Sequence, residues 1–311
     1  MTLIYKYIGC LAVFLGTVLC STPLFAQQLS DSLFSNDARF HADLEERVAK
    51  AFLEQKGKTV PQLQLEAKDL KNEQKLAWKP KTKPLQQILP VDQVYQHAKS
   101  AVYLMGRLNQ SEPAMGGYAD LFATAFAISE DGICMTNYHV LSELISTNKP
   151  IDSLKRSTEQ STYFIQSIQG EVFVLEKLLA YSSSNDLAIF KVRTANKKLP
   201  HLPLGPVLIP GQNVYIISHP DHNYYYLSAG IVNKNSLMLN PRVPNIRQYR
   251  MTVSADYAIG SSGAPIISDK GNLAGIVSST QTVPANASNG SNQQMVFKNA
   301  ISVQAIHQLI E

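Results

Sequence analysis

Gly260-Ser261-Ser262-Gly263-Ala264-Pro265 reads as a tight turn that presents a serine hydroxyl. Glycines on either side of Ser262 free the backbone and let a second chain come close. In such a turn the N–H groups of Gly260 and Ser262 can point at one spot, the arrangement that holds an oxyanion. A serine hydroxyl is a weak nucleophile at neutral pH and needs a base within hydrogen-bond reach. Working outward, Thr136-Asn137-Tyr138-His139-Val140 supplies an imidazole at the end of the apolar run 133–135, just where a short helical stretch begins. Between the two lies Asn185-Asp186-Leu187-Ala188-Ile189, with Asp186 at the mouth of a buried strand. There its carboxylate can accept the second imidazole N–H and fix the tautomer.

The surrounding texture is that of a β-rich domain. Short runs at 101–108, 121–129, 171–180, 187–192, 213–218 and 224–232 are rich in β-branched and aromatic residues, and turn signals such as Glu130-Asp131-Gly132 and Asp269-Lys270-Gly271-Asn272 separate them. Many short strands at this spacing indicate a sandwich or barrels rather than βαβ units. Residues 302–310 read as a closing amphipathic helix with Val303, Ile306 and Ile310 on one face.

The chain of 311 residues has room for one large domain with an appendage. Its first 26 residues read as a signal peptide, with Lys6 as the charged region, the apolar run 8–19 and cleavage after Ala26. No later stretch approaches the roughly 20 apolar residues of a spanning helix, so no stable membrane insertion is expected once the leader is removed. A secreted or periplasmic protein beginning near Gln27 is expected. Loss of Lys6 takes the formal net charge from +4 to +3, too mild to suggest a nucleic-acid partner. Of the 3 cysteines, Cys10 and Cys20 leave with the leader, and Cys134, within Ile133-Cys134-Met135, reads as a small core residue.

Residues 27–90 differ from the rest and read as a helical and linker arm. Leu44, Val48, Ala51 and Phe52 recur at helical spacing up to Gly57. A second helical piece is expected over 62–76. The basic Trp78-Lys79-Pro80-Lys81-Thr82-Lys83-Pro84 then favours an extended linker. Two roles are open for this arm, a partly ordered tether and a docking or autoregulatory segment.

Taken together, Thr-Asn-x-His-Val, Asp-Leu-Ala-Ile and Gly-x-Ser-Gly-x-Pro, in the chain order His, Asp, Ser, resemble the chymotrypsin-like serine proteases, and among them the bacterial Deg/HtrA-type peptidases. The resemblance runs over 91–311 and includes no PDZ module. Ala123-Thr124-Ala125-Phe126-Ala127-Ile128 is similar to the strand ahead of the histidine, and Leu273-Ala274-Gly275-Ile276-Val277 to the strand after the nucleophile. It implies a mainly β fold of two six-stranded barrels, carrying an N-terminal helical arm and a short C-terminal helix. It further implies peptide-bond hydrolysis through an acyl-enzyme, with His139 as general base, Asp186 as its orienting carboxylate, Ser262 as nucleophile, and Gly260 and Ser262 as oxyanion donors. Protein or peptide substrates follow; no cofactor and no metal is expected, and the oligomeric state stays open.

Some positions depart from the family pattern. Ala264 and Ala125 stand where glycine is usual, and Ala264 would be strained if its backbone needed positive φ. Ser261 replaces the aspartate with which trypsin-type zymogens bind a new amino terminus, so that switch should be absent. Asp256, six residues ahead of Ser262, coincides with the acidic floor of the trypsin specificity pocket; a buried carboxylate there would select Arg or Lys, whereas the alternative is a turn cap. Ser278-Ser279-Thr280 is the segment expected to pair with substrate backbone, with Ser278 and Thr280 as binding residues. His219 and His222 read as turn residues rather than metal ligands. The polar stretch 281–294, with sequons at Asn286 and Asn289, reads as a loop. Two other readings are carried beside the peptidase: a protease-like binding module with little or no turnover, and a serine esterase, for which the glycine-x-serine-x-glycine elbow is missing.

Overall fold

Leu187–Val192 is buried at every position but Lys191, as a strand with protein on both of its faces must be. In the computed structural model it lies in a closed barrel. The structure describes residues 34–110, 117–145, 161–239, 247–285 and 292–310. The expected leader, the first residues of the arm and both sequons lie outside them.

The first barrel is built from β1 (Val102–Gln110), β2 (Gly117–Ala127), β3 (Ile133–Thr136), β4 (Thr162–Gln166), β5 (Val172–Ser182) and β6 (Leu187–Val192). Its strand order is β1-β2-β3-β6-β5-β4, and antiparallel pairing of β1 with β4 closes it. The second uses β7 (Asn213–Ser218), β8 (Tyr226–Leu239), β9 (Arg247–Val253), β10 (Pro265–Ser268), β11 (Leu273–Pro284) and β12 (Gln293–Ser302) in the order β10-β11-β12-β9-β8-β7, closed by β7 and β10. The expected pair of six-stranded barrels is present, and in each the first and last strands of the order pair to close the sheet. Val214, Ile216, Val232, Met251, Ile266, Val277 and Ala300 form a core within the second barrel's strands.

Chain contacts divide the protein into Met1–Arg39 and Phe40–Glu311. In the first unit Arg39 N donates to Asn36 O at 3.2 Å. In the second, the arm from Phe40 onward shares the hydrophobic cores of the barrels. Helix α1 (Leu44–Glu54) buries Leu44, Val48 and Ala51, the stripe its sequence spacing predicts, and Gly57 ends it by donating to Phe52 O at 2.7 Å. Helix α2 (Val60–Ala67) starts earlier and stops sooner than the expected 62–76. Thr59 and Gln62 form a capping box at its start, and Pro61 suits the first turn. Its Val60, Leu63 and Ala67 join the cluster that holds Tyr103, Phe173 and Phe190. Full burial of such a side chain contributes about 1.5–3 kcal/mol, so residues 40–70 are far more tightly held than a tether would be.

Residues 78–90 form neither helix nor strand, and the segment crosses the β10–β11 turn, where Leu89 N donates to Asp269 O at 2.8 Å. Leu85 exchanges hydrogen bonds with the Asn272 side chain, both at 2.8 Å, before helix α3 (Val91–Ala98). At the other end, helix α5 (Val303–Leu309) is capped by Ser302 and buries Val303, Ile306 and Leu309. Between the barrel strands a single turn of helix, α4 (Tyr138–Leu141), follows β3 and carries His139.

Candidate active site

The imidazole is placed by the end of β3. Asn137 leaves the strand as the N-cap of α4 and donates through Nδ2 to Asp186 O at 3.1 Å. Asp186 sits ahead of β6 in the left-handed region, with φ of 55°. This conformation costs a non-glycine residue energy and is common where geometry serves a site. It turns the carboxylate towards α4: Asp186 Oδ1 accepts from His139 N at 3.0 Å, and both carboxylate oxygens lie 3.0 Å from His139 Nδ1. A carboxylate facing Nδ1 holds the proton there and leaves Nε2 as the basic nitrogen. The hydrogen bond to Asp186, opposed by partial burial and aided by its charge, raises the His139 pKa above its ordinary value.

One partner of the carboxylate, and one support of the turn that carries it, escape sequence reading. Ser278 Oγ donates to Asp186 Oδ2 at 3.0 Å. Arg250, half-buried on β9, donates to Ser184 O at 2.9 Å and Asn185 O at 3.3 Å. Burial lowers the Arg250 pKa, while the Asp186 charge supports its cationic form. Nothing near Arg250 in the sequence marks it, because its role arises from β9 of one barrel meeting the β5–β6 turn of the other.

The serine turn packs on the first barrel. Ser262 O accepts from Thr124 N at 2.9 Å, and Gly260 O accepts from Thr124 Oγ1 at 2.9 Å. Gly260 and Gly263 have φ of 92° and 82°. A Cβ on Gly263 would stand 2.1 Å from Thr136 Oγ1 and 2.3 Å from Thr124 O, so this glycine brings the serine turn against the end of β3, three residues ahead of His139. A Gly263→Ala substitution is therefore expected to cost about 2–5 kcal/mol through overpacking and left-handed strain. A urea unfolding midpoint equal to that of the unaltered chain would refute this. Ala264 is fully buried and is not among the residues with positive φ, so its expected strain is absent.

Ile259 O accepts from Asp221 N at 2.8 Å, which turns that carbonyl towards the 219–225 loop. Among the described residues, neither the Gly260 nor the Ser262 N–H is engaged by a backbone acceptor. No hydrogen bond joins Ser262 Oγ to His139 among these residues, and such bonds often tighten only around a substrate.

Of the expected substrate-binding residues, Ser278 and Thr280 lie on β11 where one side is open. Strand β10 pairs with β11 only as far as Ile276, whereas β12 pairs onward through Thr280 to Lys298. Asp256 requires a correction. Its side chain is 84% exposed and faces Lys298 Nζ at 3.5 Å, so it is not a buried carboxylate at the floor of a cation-selective pocket. The next residue points inward instead: the buried Tyr257 hydroxyl lies 2.9 Å from Ser279 O and 2.7 Å from Asn299 O, with its one proton shared between the two carbonyls. A separation of six residues fixes position in a turn but not which side chain faces in.

Cys134 is fully buried, and burial pushes its thiol pKa up, which suits a core residue and not a nucleophile. His219 Nδ1 accepts from Tyr225 N at 3.0 Å, a bond within its own turn. Among the described residues no cluster of His, Cys, Asp and Glu has the form of a metal site.

Residues 123–276 match the trypsin-like peptidase domain family. The chain is 27% identical over 163 residues to Protease Do-like 5, chloroplastic, of Arabidopsis thaliana, covering 51% of this chain and 48% of that protein. It is 32% identical over 158 residues to Serine protease HTRA1 of Xenopus laevis, covering 49% of this chain and 30% of that protein. The match thus spans less than half the length of these curated relatives. Among solved structures, the HtrA-type protease AlgW, determined with a decapeptide, shares the fold at a TM-score of 0.50 and 16% identity, covering 70% of this chain and 64% of that one.

Proposed function

Because this chain carries a trypsin-like peptidase domain with Deg/HtrA-type homologues, we propose that it is a serine endopeptidase in which Ser262, His139 and Asp186 act together. The observation that carries the proposal is the two-point contact of Asp186 with His139, in a seam where Gly263 sets the Ser262 turn against the same strand end.

In this reading an extended peptide lies along the open side of β11 at Ser278 and Thr280. His139 Nε2 removes the Ser262 hydroxyl proton as Oγ attacks the scissile carbonyl carbon. The resulting oxyanion accepts from the N–H groups of Gly260 and Ser262. Collapse expels the amine, which takes the proton from His139, and leaves an acyl group on Ser262. Water then attacks that ester with its proton passing to His139, and the carboxylic acid and free hydroxyl are released. Substrates are proteins or peptides. Among the described residues no helix is long and apolar enough to cross a membrane. A secreted or periplasmic location rests on the sequence of residues 1–26.

A pH–rate profile on an unstructured protein substrate such as β-casein tests this. Only neutral His139 serves as base, and Asp186 holds its pKa up. The acid limb of kcat/KM is therefore expected above about pH 6.5, the ordinary imidazole value, with activity falling as pH drops through it. The linked stability runs the other way. A raised imidazole pKa stabilises the fold fully below the unfolded value and loses that contribution as pH rises through the folded one. No cleavage at any pH, or a limb below the ordinary imidazole value, would overturn the reading.

A further inference from the structure

The arm touches the domain beside both halves of this site. At the first place, Glu73 Oε1 accepts from Ser182 Oγ at 2.7 Å and Ser184 N at 3.3 Å, and Asn72 Oδ1 accepts from Ser183 N at 2.9 Å. Glu73 N in turn donates to Tyr181 O at 3.0 Å. These bonds grip the turn that ends in Asp186, whose left-handed backbone needs its surroundings to hold it.

At the second place the partner is the loop behind Gly260. That loop contains three non-glycine residues in the left-handed region, Asp221 at φ 46°, His222 at 62° and Tyr225 at 58°. It meets the serine turn through Asp221 N, bonded to Ile259 O at 2.8 Å, and through His219 O, 2.3 Å from where a Cβ on Gly260 would stand. The arm reaches it with two side chains. His41 Nε2 shares a hydrogen bond with the Tyr224 hydroxyl, and the Phe40 ring meets that of Tyr224 edge-on at 5.1 Å. Arg47 fixes this corner by donating to Phe40 O at 3.0 Å, Ala42 O at 2.9 Å and Gly170 O at 2.6 Å.

We propose that residues 40–73 are a positioning element of the active centre, neither tether nor inhibitor. Asn72 and Glu73 hold the turn that aims Asp186, and His41, through Tyr224, holds the loop that keeps the Gly260 N–H turned towards the developing oxyanion. The proposal rests on the serine-peptidase reading and adds to it a role for the arm.

The test is kcat and KM of the full chain on a fluorogenic peptide, with thermal melting measured alongside. Glu73→Ala, His41→Ala and Tyr224→Phe are each expected to lower kcat about tenfold, because small misplacements of a catalytic group or oxyanion donor act on the transition state. KM is expected to stay within about twofold, since the open side of β11 is untouched. Glu73→Gln and His41→Gln keep a side-chain partner for the same bonds and should restore kcat to within about twofold of the unaltered chain. Tyr224→Phe retains the ring packed on Phe40, so it keeps the test meaningful if an alanine variant fails to fold. Variants with unaltered kcat, a loss confined to KM, or glutamine variants no better than alanine would each overturn the brace. An inert unaltered chain would overturn the peptidase reading with it, whereas an active chain with equally active variants would overturn the brace alone.

Discussion

A Ser262→Ala chain is expected to lose about a millionfold in kcat on a peptide substrate while folding as before. The fold has little reason to change. The Ser262 hydroxyl makes no hydrogen bond to His139 among the described residues, so its removal leaves no partner of that base stranded. The contact that seats the turn, Ser262 O with Thr124 N at 2.9 Å, belongs to the backbone. Ser262 is not among the residues with positive φ, and alanine accepts the same conformation. KM should move little, because the proposed mechanism assigns binding to the β11 segment around Ser278 and Thr280. What disappears is the proposed nucleophile, which should leave only the rate that positioning and the proposed oxyanion donors give. A loss of less than about a hundredfold would place the nucleophile elsewhere.

Asp186→Asn is the second large effect, about ten-thousandfold in kcat. The carboxylate accepts from His139 N, His139 Nδ1 and Ser278 Oγ, all at 3.0 Å. An amide of the same shape must place an NH₂ where an acceptor stood. With that group facing Nδ1 the imidazole carries its proton on Nε2, so the nitrogen meant to accept the Ser262 proton is already occupied. The substitution also removes the carboxylate whose hydrogen bond, and then whose charge, raises the His139 pKa, and with it the charge that supports the Arg250 cation. The residual activity should therefore show an acid limb displaced to lower pH. Equal kcat in the asparagine variant would mean that Asp186 does not orient the base.

The parts of this protein readable in sequence are those whose signal is local. Leu187–Val192 announces a strand because closure of a barrel buries nearly all of it. His139, Asp186 and Ser262 stand out because each proposed role demands particular neighbours within a few residues. Asp256 stays open between pocket floor and turn residue for the complementary reason: an ungapped offset from Ser262 carries no information about which way a turn residue points, and here Tyr257 turns in while Asp256 faces solvent near Lys298. Arg250 is invisible in the sequence because it matters only where two barrels meet, and the motifs that contain Thr124 and Thr136 do not show that these threonines seat the serine turn. For the arm, the spacing of Leu44, Val48 and Ala51 predicted an amphipathic helix, but periodicity does not name what the apolar face covers. Only the fold puts that face on the barrels and sets His41 beside Tyr224.

The most direct measurement is the site of covalent attachment of a fluorophosphonate probe, mapped by mass spectrometry of peptides from the intact protein reacted above the acid limb of His139. An activated serine attacks the phosphorus and expels fluoride, so one stable adduct is predicted, on Ser262, absent from Ser262→Ala and strongly slowed in Asp186→Asn. Absence of an adduct from the unaltered chain, or an adduct that persists in Ser262→Ala, would contradict a nucleophilic Ser262 driven by His139 and Asp186.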